Sequence, residues 1–231
     1  MSLQQVAIIG AGGFAREVLD IFEAHNGIKP TFDVIGYIVD PQYGTPGTCI
    51  NDKPILGGFD WLAEHKNDVE TICGVGKGEL RMRVVRRAQE IGVHFCTIVH
   101  PTATLTRWVT LGKGTVITAG CILTNQIQIG EHVHINLDCT IGHDVVIEDF
   151  VTLAPGVHVS GNAILREGCY IGTGANIVDR IEIGAWSIVG AGSTVTTDVP
   201  KNTTAVGVPC KVIKVRPDGW HHESPDGWHH E

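Results

Sequence analysis

The fold of this chain is decided by residues 141–171, which read IGHDVVIEDFVTLAPGVHVSGNAILREGCYI. Here and on both sides, from Val99 to Val195, an aliphatic residue recurs at every sixth position without interruption. A small residue follows most of them four positions later, so two side chains in each hexad face inward. Neither an α-helix nor an alternating strand keeps a six-residue phase. The register predicts a parallel β-helix in which three hexads form one triangular coil of eighteen residues.

The composition is that of an ordinary globular protein, and it limits the possible partners. The chain has 231 residues, of which 43% are apolar, and a formal charge of -8. Nucleic acid is not expected as a partner, because phosphate binding requires clustered Lys and Arg. No stretch reaches the roughly 20 apolar residues that span a bilayer, and the first residues lack a signal-peptide pattern. We therefore expect no membrane partner and a cytoplasmic location.

Two groups of residues are expected to have structural roles. Of the seven cysteines, Cys121, Cys139 and Cys169 occupy small inward positions of the repeat, where a free thiol packs as a compact hydrophobe. Because the chain has no CxxC pair, packing is favoured over metal binding or nucleophilic chemistry. Arg81 and the arginines within residues 83–87 are expected to form a solvated helix face. Contact with a phosphate-bearing ligand is the alternative.

The segment before the repeat has a different organisation. Strand patterns alternate with helical patterns, which predicts a Rossmann-like βαβαβ unit, because parallel neighbours need a crossover connection. The predicted strands cover residues 5–9, 34–39 and 71–75, and the predicted helices follow residue 13 and cover 59–64 and 79–91. We expect a domain of residues 1–96, a β-helix of residues 97–214 and a tail of residues 215–231.

A glycine-rich turn, GAGGFA at residues 10–15, lies between the first strand and the first helix. In this context backbone N–H groups and a helix N-terminus bind phosphate oxygens. The motif alone suggests a nicotinamide-dependent enzyme, but an α/β unit of about 95 residues is roughly half of a dinucleotide-binding domain. A mononucleotide or sugar nucleotide therefore fits better, with Asp40 as the candidate ligand for a base or ribose. Glycine packing without a ligand is the alternative interpretation.

His143 is the leading candidate for a catalytic residue in the repeat. Residues eighteen apart stack on successive coils, which places His143 between Asn125 and Gly161. Gly161 leaves space beside the imidazole. Asp144 can orient the ring and raise its basicity, as a general base near neutral pH requires. An incidental surface histidine is the alternative interpretation.

Metal sites are considered and not favoured. Carbonic anhydrases with a left-handed β-helix hold zinc through histidines in H-x4-H spacing, and no two histidines of this chain are five positions apart. His132 is predicted at a corner of the coils, and His134 and His158 on the outer face. The heptapeptide PDGWHHE occurs at residues 217–223 and again at 225–231. Its paired histidines lack a fixed scaffold, so we expect a surface tail, with metal chelation as the alternative.

Three motifs occur together: GAGGFAREV at residues 10–18, IGHD at 141–144 and GVPCK at 207–211. In combination they resemble the sugar acyltransferases of the sialic acid O-acetyltransferase and bacillosamine-pathway N-acetyltransferase family, over residues 3–214. The resemblance implies a left-handed β-helix that forms a homotrimer, with acetyl-CoA in the cleft between neighbouring subunits and no metal. It also implies that the N-terminal domain holds a nucleotide-linked amino sugar.

The resemblance assigns roles to particular residues. It implies that His143 is the catalytic base and Asp144 its acidic partner. The implied acetyl-CoA contacts are Thr152, Gly161, Thr173, Ala191, Gly192, Pro209 and Lys211. The implied substrate contacts are Gly12, Gly13, Phe14, Asp40 and Gly76. Several relatives have histidine in place of Phe14, and one has histidine in place of Thr152, so the acceptor can differ from theirs.

These observations predict an acetyl-CoA-dependent acyltransferase. We expect it to acetylate the amino group of a nucleotide-linked 4-amino-4,6-dideoxy sugar by direct attack, with His143 as general base. The alternatives are O-acetylation of sialic acid or another sugar hydroxyl, and transfer of a longer acyl group. A nucleotide-sensing or scaffold protein and a nicotinamide-dependent enzyme are the other classes. Outward-facing Ile122, Ile164 and Ile188 favour a trimer on physical grounds, because they are unfavourable on a solvated monomer.

Overall fold

A six-stranded sheet with three helices begins the structure, a computed structural model that describes residues 3–222. The order of the strands in the sheet is β3-β4-β2-β1-β5-β6. They are β1 (Gln4–Ile9), β2 (Phe32–Ile38), β3 (Cys49–Ile50), β4 (Lys53–Gly57), β5 (Glu70–Cys73) and β6 (His94–Phe95). The helices are α1 (Gly13–Ile28), α2 (Phe59–His65) and α3 (Gly78–Ile91). Neighbouring strands are parallel, except that β3 and β4 are antiparallel.

Apolar periodicity explains why this unit forms. The last four residues of β1 are buried, as the central strand of a parallel sheet requires. Helix α1 buries Val18, Leu19 and Phe22 on one face. Helix α3 ends at Gly92, whose left-handed φ of 87° lets its N–H cap the helix. The predicted Rossmann-like organisation is confirmed, and the predicted bounds of its strands and helices are shifted by up to two residues.

The hairpin β3–β4 and strand β6 were not predicted. Strands β3 and β6 have two residues each, which is too short for a periodic pattern. Strand β4 contains Pro54, which lowers the strand signal. The hairpin turn uses Asn51 and Asp52 with φ of 45° and 60°, a conformation that these residue types tolerate better than most. The sheet is therefore larger than the sequence suggested.

From Ile98 the chain winds into a left-handed parallel β-helix with three faces. The pairings between coils join residues eighteen apart, for example Ile117, Ile135 and Leu153, until the last coil, where Ile188 pairs with Thr204, sixteen residues on. We call the sheets face 1, face 2 and face 3. The strands of face 1 are β7 (Ile98–Val99), β10 (Val116–Ile117), β13 (His134–Ile135), β16 (Thr152–Leu153), β19 (Tyr170–Ile171), β22 (Ile188–Val189), β24 (Thr203–Val206) and β25 (Lys211–Val215).

Faces 2 and 3 complete the prism. The strands of face 2 are β8 (Thr104–Leu105), β11 (Ile122–Leu123), β14 (Thr140–Ile141), β17 (His158–Val159), β20 (Asn176–Ile177) and β23 (Thr194–Val195). The strands of face 3 are β9 (Val109–Leu111), β12 (Ile127–Ile129), β15 (Val146–Ile147), β18 (Ile164–Leu165) and β21 (Glu182–Ile183). The chain visits the three faces in turn, so each hexad supplies one strand and one corner.

The hexad positions form the core of this β-helix. The aliphatic positions from Ile117 to Val195 are all buried, and the three before them are half-buried at the end of the prism. Cys121, Cys139 and Cys169 fill small inward positions and are fully buried free thiols. The predicted β-helix is confirmed, and its core is one continuous apolar cluster along the axis.

The corners of the coils require a left-handed backbone conformation. Positive φ values recur at six-residue intervals, including His132 at 54°, Asp144 at 60°, Phe150 at 59° and Trp186 at 55°. Such values are uncommon outside glycine. Gly168, with φ of 65°, also occupies such a corner, and a Cβ there would collide with the Trp186 indole on the next coil. The corners therefore decide which side chains can stack along an edge of the prism.

The N-terminal domain covers the upper part of face 1. His132 lies at its corner with its ring stacked on Phe150 and edge-on to Phe95 of β6. His134 points away from the β-helix core, as predicted, but it is fully buried because the N-terminal domain packs over it. His158 on face 2 is exposed. Position relative to the N-terminal domain therefore separates buried histidines from accessible ones.

Burial of His132 predicts a loss of stability at acidic pH. Desolvation, together with the nearby Arg81, lowers the pKa of His132 to about 4. The unfolded imidazole binds a proton below pH ~6.5, whereas the folded one stays neutral, so from pH 7 to pH 5 this group lowers the free energy of unfolding by about 2 kcal/mol. Urea unfolding of wild type and His132→Phe at both pH values measures this decrease, which should be smaller in the variant. An equal loss in both proteins would contradict the prediction.

Candidate active site

His143 and Asp144 form a pair at the corner between faces 2 and 3. The backbone of this corner is held by hydrogen bonds to both neighbouring coils, since the Asp144 N–H donates to the Asn125 carbonyl and the Asn162 N–H to the His143 carbonyl. The His143 Nδ1 atom lies 2.7 Å from Asp144 Oδ2. Both side chains are exposed, at 64% and 53%. The pair is therefore accessible to a substrate.

The hydrogen bond to Asp144 fixes how the imidazole can act. An ionised carboxylate only accepts hydrogen bonds, so Nδ1 carries the proton, and in the neutral ring Nε2 keeps a free lone pair. The imidazole lies over Gly161 of the next coil, where a Cβ would approach its Cε1 to 2.7 Å. The structure thus brings His143, Asp144 and Gly161 together, with Nε2 available as a proton acceptor.

The proposed acetyl-CoA contacts lie on another part of the prism. Thr152 on β16 and Thr173 after β19 line a cavity of about 540 Å³ beside face 1. Gly76 from the N-terminal domain lines the same cavity, as does Tyr170. Thr152 is buried, and its hydroxyl accepts a hydrogen bond from Arg81 Nη2. The cavity therefore joins the two domains of one chain.

The remaining predicted cofactor residues continue along the corner between faces 1 and 2. The Gly192 N–H donates to the Thr173 carbonyl at 2.8 Å, so Ala191 and Gly192 lie one coil below Thr173. Pro209, which follows a cis peptide bond, and Lys211 are exposed on the last turn. These residues form a row along this corner. His143 lies on the other corner of face 2, so one chain does not place it in this row.

The glycine-rich turn lies at the carboxyl ends of the central strands, where ligands bind in open parallel sheets. Gly12 is the N-cap of α1, and Gly13 is its first residue, with no side-chain cap in place. Phe14 packs its ring on His134 with centroids 4.5 Å apart. A Cβ at Gly76 would come within 3.7 Å of Phe14 Cβ, so the turn and the loop after β5 are neighbours.

Asp40 follows β2 at the same edge, where its carboxylate already has a partner. Arg87 Nη1 donates to Asp40 Oδ2 at 2.8 Å, and the Arg87 guanidinium lies over the Phe59 ring. A Cβ at Gly58, the residue before α2, would lie 3.4 Å from Asp40 Oδ1. Asp40 is half-buried, so it remains accessible from one side.

Arg81 is buried beside the candidate site, contrary to the prediction from the sequence. It was expected on a solvated face of α3, but it is fully buried between the domains. Burial lowers the pKa of Arg81 to about 10, so the guanidinium stays charged at neutral pH. The signal was present in the helix period: Arg81 shares a face with Val85 and Ala88, both of which are buried.

Trp220 and His221 of the first C-terminal heptapeptide are packed, in contrast to the expected surface tail, whereas Pro217, Asp218 and His222 are exposed. Trp220 lines the cavity that holds Thr152 and Thr173. His221 stacks on Trp186 with ring centroids 4.0 Å apart. Asn202 donates to the Asp218 carboxylate at 2.7 Å and anchors the segment. Trp220 of this segment therefore forms part of the cavity wall.

Metal-binding clusters and membrane-spanning helices were sought in residues 3–222. Within residues 3–222, no group of three or more His, Cys, Asp or Glu side chains is arranged to hold a metal ion. The second heptapeptide, with His229 and His230, lies outside that range. In the same part of the chain, no helix has the length and apolar character needed to cross a membrane.

Fold and site together define the class of this protein: a hexapeptide-repeat left-handed β-helix that follows a Rossmann-like domain and carries an exposed histidine–carboxylate pair. Residues 5–88 match the PglD N-terminal domain family. This match lies within the N-terminal domain and does not extend into the β-helix.

Longer matches extend the comparison. GDP-perosamine N-acetyltransferase of Escherichia coli O157:H7 is 28% identical over 215 residues, which are 91% of this chain and 96% of that enzyme. A crystal structure of a perosamine N-acetyltransferase variant from Caulobacter crescentus, in complex with CoA and GDP-perosamine, matches with a TM-score of 0.83 and 27% identity. That match covers 92% of this chain and 98% of the other. The resemblance found in the motifs is confirmed.

A second kind of relative matches over about half of this chain. Serine acetyltransferase of Escherichia coli K12 is 36% identical over 129 residues, which are 54% of this chain. This chain spans only 40% of the length of that enzyme. The higher identity therefore applies to only part of each protein.

The packed tail predicts a stability effect of truncation. Removing residues 217–231 deletes the ring stacked on Trp186 and the Trp220 wall, so we expect the free energy of unfolding to fall by about 1–3 kcal/mol. The matched control ends after Glu223 and keeps every residue that the structure describes. Urea unfolding of the two truncated proteins measures the difference, and equal stability would contradict the packing role.

Proposed function

We propose that this protein is an acetyl-CoA-dependent N-acetyltransferase that acts on the amino group of a nucleotide-linked 4-amino-4,6-dideoxy sugar. The observation that carries the proposal is the His143–Asp144 pair, which leaves Nε2 exposed above Gly161. Similarity to perosamine N-acetyltransferases over nearly the whole chain supports the choice of an amino-sugar acceptor.

The proposed reaction is direct attack in a ternary complex. The acceptor amine attacks the thioester carbonyl of acetyl-CoA while His143 Nε2 takes a proton from the nitrogen. An amide bond forms, the carbon–sulfur bond breaks, and the proton passes to the departing CoA sulfur. The Asp144 carboxylate stabilises the imidazolium that forms between these steps, and a backbone N–H stabilises the oxyanion. Because the thioester is already activated, the protein mainly aligns two substrates.

We assign the two substrates to two neighbouring regions of the molecule. Acetyl-CoA would bind along the row that contains Thr173, Ala191, Gly192, Pro209 and Lys211, with Thr152 in the adjoining cavity and Gly161 beside the base. The row is exposed over much of its length, which suits a long cofactor. The sugar nucleotide would bind at the carboxyl edge of the first sheet.

That edge offers phosphate-binding backbone and one acidic side chain. Gly12 and Gly13 open the N-terminus of α1, where unpaired N–H groups favour phosphate oxygens. Asp40 would contact the base or ribose from its accessible side, and Gly76 would let the ligand pass close to the chain. Phe14 offers an apolar surface instead of a hydrogen bond, so the sugar would be oriented by other groups.

We further propose that the active site forms between subunits of a homotrimer. His143 lies on one corner of face 2 and the cofactor row on the other, so a neighbouring copy would supply the missing half. Ile122 is 47% exposed on face 2 between them, and contact with a second copy would cover it.

We place the junction between the two domains of each subunit at residues 96 and 97, between β6 and β7.

O-acetylation of a sugar hydroxyl is the second candidate function. The observation that favours it is the 36% identity of about half of this chain to a serine acetyltransferase. A hydroxyl has a much higher pKa than an ammonium group, so this reaction would depend more strongly on the base. Release of free thiol from acetyl-CoA, assayed against UDP-, GDP- and dTDP-linked amino sugars, free sialic acid and serine, separates the two functions. No release with any acceptor would refute both.

Replacing the base tests the proposed mechanism. His143→Ala should lower kcat by about 10²–10⁴-fold, because general-base catalysis contributes that much, with little change in KM for acetyl-CoA. The control is His100→Ala, which removes a half-buried histidine on the first coil. Steady-state thiol release with both substrates varied gives the two constants. A His143→Ala enzyme with near wild-type kcat would refute the assignment.

Mixed trimers test whether the site lies between subunits. His143→Ala removes the base, and Thr173→Trp blocks the exposed end of the proposed cofactor row. After co-expression, trimers that contain both inactive chains should have about a third of wild-type activity, because each hybrid C₃ ring contains one intact site of three. The differently tagged hybrids are purified and assayed for thiol release. No recovery would place the whole site in one chain and contradict the proposal.

A further inference from the structure

Arg81 connects three separate parts of the molecule through one buried guanidinium. Its Nη1 donates to the carbonyls of Val75 and Gly76 in the loop after β5, at 3.3 and 3.0 Å. Its Nε donates to the His132 carbonyl at 2.9 Å. Its Nη2 donates to the Phe150 carbonyl at 2.8 Å and to Thr152 Oγ1 at 2.8 Å. All three of its nitrogens are therefore engaged.

These partners are neutral. Among the described residues, every hydrogen-bond partner of Arg81 is a carbonyl oxygen, a hydroxyl or the ring nitrogen of His134. A buried cation without a carboxylate partner is expensive and persists only when hydrogen bonds replace its hydration. An apolar residue would fill this space without that penalty. The fixed directions of the guanidinium N–H groups are what an apolar residue cannot supply.

A second path runs from Arg81 to the glycine-rich turn. Arg81 Nη1 lies 3.0 Å from His134 Nδ1, which accepts because arginine is only a donor. The proton of the neutral ring is then on Nε2, and the ring packs against Phe14. Arg81 thus touches Gly76 directly and Phe14 through His134. Both residues belong to the proposed sugar-nucleotide site.

We propose that Arg81 is a positioning residue that couples the two substrate sites of one chain. The inference rests on the proposed function in one respect, that Gly76 and Thr152 lie in sites for different substrates. Because one rigid group holds both residues, a ligand that orders the Gly76 loop also orders the Thr152 side of the cavity. Each ligand then binds more tightly when the other is present, by the same factor in both directions.

The coupling factor is measured by calorimetry on the full-length protein. The dissociation constant of CoA is determined alone and with saturating GDP, UDP or dTDP, and the ratio is the coupling factor. For wild type we expect a factor of about 5 or more with at least one nucleotide. Arg81→Lys should bring the factor close to 1, because an ammonium group cannot span the three parts. Arg86→Lys, an exposed position on the same helix, should keep the wild-type factor.

Thr152→Val is the second variant, for use if Arg81→Lys does not fold. It removes only the hydroxyl that Arg81 holds, so it should also reduce the coupling factor. If Thr152→Val removed only a direct contact with CoA, it would weaken CoA binding equally with and without nucleotide. The ratio of the two dissociation constants would then stay unchanged. A wild-type factor of 1, or a factor unaltered in the variants, overturns the inference. If coupling through Arg81 is found but no acceptor releases thiol, the proposed function fails and the inference stands.

Discussion

The buried hydrogen bonds of Arg81 are the interaction on which the arrangement of the two domains depends. The N-terminal domain and the β-helix each have an apolar core of their own, and apolar contact alone is not directional. The guanidinium sets the distance and angle between them, because it reaches the His132 and Phe150 carbonyls from α3. Without it, those buried oxygens would lose their donor, at about 1–3 kcal/mol each.

The six-residue register explains why histidines of one repeat have opposite environments. A corner in the left-handed conformation recurs in each hexad, so polar side chains are presented at regular heights along three edges. His132 and His134 lie where the N-terminal domain covers the prism and are held neutral by burial, while His143 lies on an uncovered edge. Within residues 3–222, its side chain has one hydrogen-bond partner, Asp144. Accessibility, together with that carboxylate, distinguishes a candidate base from a packing residue.

The sequence predicts the features that depend on local periodicity. It does not predict the contacts between the N-terminal domain, the β-helix and the C-terminal segment. The β-helix core follows from hexads such as Ile117, Ile135 and Leu153, and the stacking of His143 on Gly161 follows from the eighteen-residue coil. The burial of Arg81 needed the N-terminal domain to be placed on face 1. The helix period places Arg81 on the buried face of α3 but does not show what covers it. The packing of His221 on Trp186 likewise needed the tail to return to the prism, and that return has no periodic signal.

Phe14 links the identity of the acceptor to this architecture. A histidine at that position would offer the sugar a hydrogen bond, whereas Phe14 offers an apolar ring that packs on His134. Arg81 holds His134 in turn. The guanidinium that holds Thr152 therefore also supports Phe14, through His134. Under the proposed function, selectivity for the acceptor would then arise from the shape of the apolar surface that Phe14 presents. Polar recognition would fall to Asp40 and the backbone of the turn.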